Sequence, residues 1–320
     1  MRERTVAVNG IDLHVLEEGD GPVVILAHGF PELAFSWRHQ LPALAAAGYR
    51  AVAPDQRGYG HSSRPPAVED YDIVHLTGDL VALLDHLGEE QAVFVGHDWG
   101  AIVVWQLALM HPHRVAGVVG MSVPFIPRGP VPPTQAMRAV FGDQFFYILY
   151  FQEPGVADAD LGRDPATTMR RLLAGLSAAD GPPDLGALAA PDGRGFVHRL
   201  PEPGALPAWL TQDELDTYVE AFSRTGFTGG INWYRNIDRN WALTAHLEGA
   251  KVTVPSLFVA GASDPVLAMT PPGIMEGWLT DHRGNVLIPG AGHWVQQEKP
   301  AEVNDALVDF CRRVHHGGRP

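Results

Sequence analysis

The segment Val93-Phe94-Val95-Gly96-His97-Asp98-Trp99-Gly100-Ala101 decides how the rest of the chain is read. An apolar lead runs into Gly-His-Asp-Trp-Gly, and a second, mostly apolar run extends from Ile102 to Met110. This pattern predicts a buried strand, a sharp turn and a buried helix. One glycine stands two residues before Asp98 and another two residues after it. Without side chains at those positions, strand and helix approach closely while the residue between them takes a strained backbone and projects its side chain. The turn is a nucleophile elbow, normally written Gly-x-Ser-x-Gly, with a carboxylate at its centre.

The segments on either side give that elbow a sheet to sit in. Thr5 to Val8 and Leu13 to Glu17 alternate around Asn9-Gly10, a strong hairpin signal. Val23 to Ala27 is continuously apolar and ends in His28-Gly29-Phe30-Pro31, which predicts a central strand and a tight loop. A helix is expected over Phe35 to Ala47, a strand over Tyr49 to Ala53, and a helix over Tyr71 to Leu87 ended by Gly88. The elbow strand, Ala92 to Gly96, and its helix, Ala101 to His111, come next, followed by a buried strand from Val115 to Ser122. Alternating strands and helices with short connections imply a mostly parallel sheet covered on both faces. The pattern stops near Val123-Pro124-Phe125. From about Ile126 to Leu247 helical pieces alternate with loops such as Gly181-Pro182-Pro183 and Pro201-Glu202-Pro203-Gly204. Strands return at Val252 to Ala260 and Asn285 to Ile288, and a last helix is expected over Ala301 to Arg313. One α/β domain is therefore interrupted by a helical insertion: core at 1–126 and 248–320, lid at 127–247.

Composition narrows the class. The 320 residues carry 37 Asp and Glu against 23 Lys and Arg, a net charge of −14, which argues against nucleic-acid and anionic-membrane partners. Cys311, the one cysteine, excludes an internal disulfide and a cysteine zinc cluster. Met1-Arg2-Glu3-Arg4-Thr5 lacks the apolar core of a signal peptide, and no apolar run approaches about 18 residues. A cytoplasmic protein is expected.

Three polar residues fall just beyond expected strands. Asp98 follows Ala92–Gly96, Asp264 follows Ser256–Ala260, and His293 follows Asn285–Ile288. Ligands of parallel sheets bind beyond the carboxyl ends of the strands, so the three can meet despite their separation. Their order is nucleophile, acid, base, which is the order of α/β-hydrolases. Each type has an ordinary use as well, since Asp before Pro is common in loops; the ordered set favours function. The loop His28-Gly29-Phe30-Pro31 can aim the Phe30 amide at the site, and the amide of Trp99 is the natural second donor for an oxyanion. The side chains of Phe30 and Trp99 are then expected to line the pocket. An Asp nucleophile attacks an sp³ carbon and forms an alkyl ester, which water activated by His293 hydrolyses. A strained epoxide and an alkyl halide both fit. The epoxide oxygen needs a proton donor, and tyrosines from the insertion could supply it.

The motifs His28-Gly29-Phe30-Pro31, Gly96-His97-Asp98-Trp99-Gly100, Tyr150-Phe151-Gln152-Glu153-Pro154-Gly155, Asn232-Trp233-Tyr234-Arg235-Asn236 and Gly292-His293-Trp294 resemble those of the α/β-hydrolase-fold epoxide hydrolases of the soluble type. The resemblance covers nearly the whole chain and is weakest from Val156 to Pro203. It implies that Tyr147 and Tyr234 are the lid acids, with Tyr150 left to packing. It also implies an epoxide substrate, water as co-substrate, and no metal or cofactor. A homodimer through the lid is left open. The elbow alone is shared with haloalkane dehalogenases, which often carry Asn where this chain has Phe30; fluoroacetate dehalogenases are expected to carry Arg in place of Trp99. A small-molecule receptor on the same fold is the non-catalytic alternative. With no room for the N-terminal phosphatase domain of the mammalian enzymes, the chain looks like a single-module bacterial or plant type.

Overall fold

The computed structural model describes residues 1–178 and 189–315; the Gly181-Pro182-Pro183 loop lies outside them. Among the described residues a single sheet contains β1 (Arg2–Val8), β2 (Ile11–Glu18), β3 (Val23–Ala27), β4 (Arg50–Pro54), β5 (Ala92–His97), β6 (Val115–Met121), β7 (Val252–Gly261) and β8 (Leu279–Ile288). The spatial order is β1-β2-β4-β3-β5-β6-β7-β8. β1 and β2 run antiparallel, and the strands from β4 to β8 pair in parallel. The hairpin turns on Asn9 and Gly10, with φ of 46° and 77°, as a two-residue turn matched to strand twist requires.

β3 and β5 are buried at every position, because helices cover both faces. On one face α2 (Ile73–Leu87) and α3 (Trp99–Met110) contribute Leu80, Leu83, Val103, Val104 and Leu107 to the core. On the other, α1 (Gln40–Ala46) and the C-terminal helix Pro300–His315 contribute Leu41, Leu44, Leu307 and Phe310. α2 begins where Asp72 accepts from the His75 amide and ends at Gly88, φ 80°; a side-chain cap of this kind stabilises by about 1 kcal/mol.

Two elements differ from the sequence expectation. The helix expected over Phe35 to Ala47 is divided into a 3₁₀ turn, Ala34–Trp37, and α1. Pro42 explains the break: its ring would meet the carbonyl four residues earlier, at Arg38, if the helix ran through. β8 begins six residues before Asn285. It is one of the two outer strands, and its first half carries Thr280, Asp281, His282 and Arg283, so it lacks the apolar signature of the strands inside the sheet.

Between β6 and β7 the described residues form helices, among them Pro133–Phe141, Tyr147–Tyr150, Val156–Gly162, Pro165–Gly175, Gln212–Thr225, Thr228–Arg235 and Ile237–Leu243. Polar contacts fasten this insertion to the sheet side. Tyr218 Oη lies 2.8 Å from Ser36 Oγ, Arg38 Nε donates to Glu214 at 2.7 Å, and Trp233 Nε1 donates to the Arg57 carbonyl at 3.1 Å. Among the described residues no helix is long and apolar enough to cross a membrane.

His14 on β2 gives the fold a pH-dependent brace. Its Nδ1 lies 3.0 Å from Asp55 Oδ2, while Asp55 also accepts from the amides of Ala34 and His61. The hydrogen bond with Asp55 raises the His14 pKa above 6.5, with the charges of Asp55 and Glu3 adding to it and burial opposing it. A pKa raised in the folded state stabilises fully below the unfolded value and fades as pH rises through the folded one. The melting temperature lost in His14→Gln is therefore expected to be greater near about pH 5 than near about pH 8. Scanning calorimetry across that range checks it; an equal loss at both ends contradicts it.

Candidate active site

β3 leads to β4 on one side, whereas β5 sits on β3's other side, so the order in which strands are added reverses between the parallel neighbours β3 and β5. The crevice beyond such a switch point is where open α/β sheets receive ligands. Asp98 stands there, between β5 and α3, with φ 52° and ψ −118°. The flanking glycines have a direct steric reason. A Cβ on Gly96 would lie 2.1 Å from the Gly100 carbonyl oxygen, and one on Gly100 would lie 2.0 Å from that of Ala27. Gly29, in the loop after β3, is held to the same limit by the Asp98 side chain, 2.4 Å from where its Cβ would be.

Three groups meet the Asp98 carboxylate or each other. The Phe30 amide donates to Asp98 Oδ1 at 2.8 Å. His293 Nε2 lies 3.6 Å from Asp98 Oδ2. On the far side of the ring, His293 Nδ1 is 3.2 Å from both oxygens of Asp264. Asp264 is further fixed by the Val266 amide, 2.9 Å from Oδ1, where it caps the short helix Pro265–Met269. Burial would lower the His293 pKa, but the neighbouring carboxylates outweigh it and raise it well above the usual imidazole value. Burial would likewise raise Asp264, and the His293 charge with its hydrogen bonds holds it below the usual carboxylate value.

A cavity of about 500 Å³ opens over Asp98, and its wall includes Trp99, Tyr147 and Tyr234. Tyr147 starts the one-turn helix Tyr147–Tyr150, and Tyr234 lies in helix Thr228–Arg235. The two rings are 5.9 Å apart, centre to centre, at 75°. Burial first, then the Asp98 charge, pushes both hydroxyl pKa values up, so both stay protonated at neutral pH. Tyr150 is not among the residues that line the cavity and packs on Phe145 instead.

Trp99 is on the cavity wall and meets Tyr234 edge-on at 5.0 Å. Among the described residues its amide makes no hydrogen bond to the Asp98 carboxylate, unlike that of Phe30. The Phe30 ring packs against Phe151, Phe227 and Tyr234 at 5.8, 6.5 and 5.4 Å. Phe30 is not among the residues that line this cavity, but its ring packs on Tyr234, which is.

Sequence reasoning overlooked a buried pair beneath the site. Glu32 Oε2 lies 2.6 Å from His97 Nδ1, and His97 Nε2 lies 2.8 Å from the His293 carbonyl. Burial acts to raise Glu32, yet the His97 charge and hydrogen bond prevail and hold it down at about 2. Glu32 also receives the Gly29 amide and the side chains of Gln296 and Gln297. The available signal was a lone acid directly after Phe30-Pro31 in an otherwise apolar neighbourhood. Among the described residues no three His, Cys, Asp or Glu side chains gather as a metal site.

An acidic elbow at the switch point, answered by Asp264 after β7 and His293 after β8, defines an α/β-hydrolase, and the family model described as the alpha/beta hydrolase fold matches residues 22–300. Over 310 residues, 96% of each chain, the sequence is 60% identical to epoxide hydrolase A of Mycobacterium tuberculosis. Epoxide hydrolase 1 of Siraitia grosvenorii is 43% identical and is covered, as is this chain, to 97%. The crystal structure of epoxide hydrolase A from Mycobacterium thermoresistibile superposes with a TM-score of 0.93 at 58% identity, covering 97% of this chain and 98% of that one. The chain belongs to the epoxide hydrolases of the α/β-hydrolase fold.

Proposed function

We propose that the chain adds water to an epoxide, giving a vicinal diol, through a covalent ester on Asp98. The observation that carries this reading is the shared cavity: two protonated tyrosines, Tyr147 and Tyr234, face a carboxylate whose other oxygen looks at His293. Residues 127–247 are taken as the lid that brings the tyrosines, and 1–126 with 248–320 as the core that brings Asp98, Asp264 and His293.

The epoxide oxygen lies between the tyrosine hydroxyls. Asp98 attacks a ring carbon from the opposite side, the carbon–oxygen bond opens, and a tyrosine proton moves to the leaving oxygen. Ester formation removes the Asp98 charge, which had helped to raise the His293 pKa. His293 can then release its proton to solvent, from which the tyrosinate regains one, and the neutral ring accepts a proton from water while Asp264 steadies the imidazolium that forms. Hydroxide adds to the Asp98 carboxyl carbon. The Phe30 amide, already on Oδ1, and the Trp99 amide hold the oxyanion until it collapses and the ester bond breaks. The departing alkoxide takes the proton of the His293 imidazolium and leaves as the diol, and the Asp98 carboxyl then returns a proton to His293.

One turnover of styrene oxide in ¹⁸O-labelled water tests the route. Because water attacks the carboxyl carbon, label is expected in Asp98 and not in the first diol. Label in the diol at first turnover would mean direct attack on the epoxide.

The tyrosines can be tested separately. Tyr147→Phe and Tyr234→Phe are each expected to slow ring opening about 10²-fold, the low end for a general acid. The double variant should nearly abolish it, since no proton donor then faces the oxygen. Rapid-quench measurement of ester formation reads this directly, and an undiminished double variant contradicts the acid role.

A further inference from the structure

His293 has to keep its ring on Asp264 and its Nε2 toward Asp98 while its own backbone sits in a loop. Four donors converge nearby on one carboxylate, Glu298. Its Oε1 accepts from the Trp294 amide at 3.0 Å. Its Oε2 accepts from the Gly292 amide at 3.0 Å. The residues before and after His293 are thus tied to opposite oxygens of the same side chain.

The other two donors come from the insertion. Ser177 Oγ and the Ala178 amide each lie 3.0 Å from Glu298 Oε2. The His293 amide itself donates to the Leu176 carbonyl at 2.9 Å. Contact at this point is close enough to exclude a side chain: a Cβ on Gly292 would lie 2.5 Å from the Leu176 oxygen and 2.6 Å from the Ala178 nitrogen. On the core side, His97 Nε2 and Ser122 Oγ meet the His293 carbonyl at 2.8 and 2.9 Å. The base is therefore mounted between two supports, one from the core and one from the stretch 176–178, and Glu298 joins the second to the loop.

We infer that Glu298 is a positioning residue for His293, and that through it the insertion supports the base as well as carrying the tyrosines. The inference rests on the reading of His293 as the base. It separates the two chemical steps. Ring opening uses Asp98 and the tyrosines, none of which Glu298 touches. Ester hydrolysis requires His293 within hydrogen-bond reach of a water aimed at the ester, and displacement of about 1 Å costs on the order of 10²-fold.

Glu298→Gln preserves shape but puts an NH₂ donor where an oxygen stood, so at least one flanking amide of His293 loses its acceptor. In single turnovers of styrene oxide, ring opening is expected to stay within about twofold, while ester hydrolysis slows about 10- to 100-fold. In steady state kcat and KM fall together, because the ester accumulates. Ser177→Ala, which removes one of the insertion's two donors, slows the same step by a smaller factor. A change confined to melting temperature, or equal slowing of both steps, would leave Glu298 a merely structural residue and overturn the inference. An unchanged Ser177→Ala overturns the part assigned to the insertion. His293→Gln run alongside separates the two levels: if it fails to accumulate ester, the reading of the base falls; if it accumulates ester while Glu298→Gln hydrolyses normally, only the role of Glu298 falls.

Discussion

His293→Gln, mixed with styrene oxide, is expected to gain the mass of one epoxide per chain and stay there. Glutamine can fill the space and keep a polar contact to Asp264, but its amide does not accept a proton at neutral pH. On the proposed route ring opening asks nothing of residue 293 beyond leaving Asp98 ionised, and the tyrosines assigned to supply the proton are untouched. Hydrolysis of the ester loses its base, a term of roughly 10²–10⁴-fold. Because the first step proceeds and the second stalls, the ester builds up instead of the diol. Intact-mass measurement over time reads the adduct, and peptide mapping should locate it on Asp98. Asp264→Asn provides a graded comparison. The imidazole stays in place, but the partner that favours its protonated form is gone, so hydrolysis slows less than in His293→Gln. Normal turnover by His293→Gln with no adduct would remove His293 from the mechanism.

How far the sequence could be read depended on how local each signal was. The strands β3 and β5 are enclosed on both faces, and unbroken apolar runs announce that directly. The elbow is equally local, since its glycines are required by contacts with the segments that flank it and with β3. The start of β8 was hidden because an outer strand with a solvated face has no continuous apolar run. The division before α1 depended on a single proline four residues beyond Arg38. The tyrosines carried no periodic signal: Tyr147 begins a helix of one turn, and what brings it to Tyr234 is tertiary packing. Resemblance, not spacing, pointed to them. Polar supports were the least legible. Glu32 meets Gln296 and Gln297 across 264 and 265 positions, and Glu298 meets Ser177 across 121. No property of an isolated glutamate distinguishes such a partner from a solvated surface acid. The Phe30 ring shows a different limit. Its position next to the elbow suggested a pocket wall, whereas the packing that holds the ring, on Phe151, Phe227 and Tyr234, comes from the insertion more than a hundred positions away.

Asp98→Asn should be folded and, when fresh, inert. Residue 98 has φ 52° and ψ −118°, a strained pair of angles for any side chain, and Asn, which has the shape of Asp, adds nothing to that strain. Asparagine can also keep the acceptor for the Phe30 amide, so the loop after β3 need not move. The melting temperature is therefore expected to change little, whereas Asp98→Ala would lose that acceptor. Chemically the change is severe. A neutral carboxamide oxygen is a poor nucleophile toward an sp³ carbon, and ester formation should fall below detection in single turnovers. The same site nevertheless has what is needed to repair the variant. On the proposed route His293 aims a water at the carbonyl carbon of residue 98, and an amide at that carbon is a slower substrate than the ester. Activity should return over long incubation as the introduced carboxamide is hydrolysed back to the native carboxylate, with the corresponding mass change at that residue. Adding His293→Gln to Asp98→Asn should stop the recovery, because the water then has no base. Full activity in freshly prepared Asp98→Asn, before any conversion of residue 98, would exclude the covalent route. A recovery that proceeds equally fast without His293 would show that the water is not activated by that histidine.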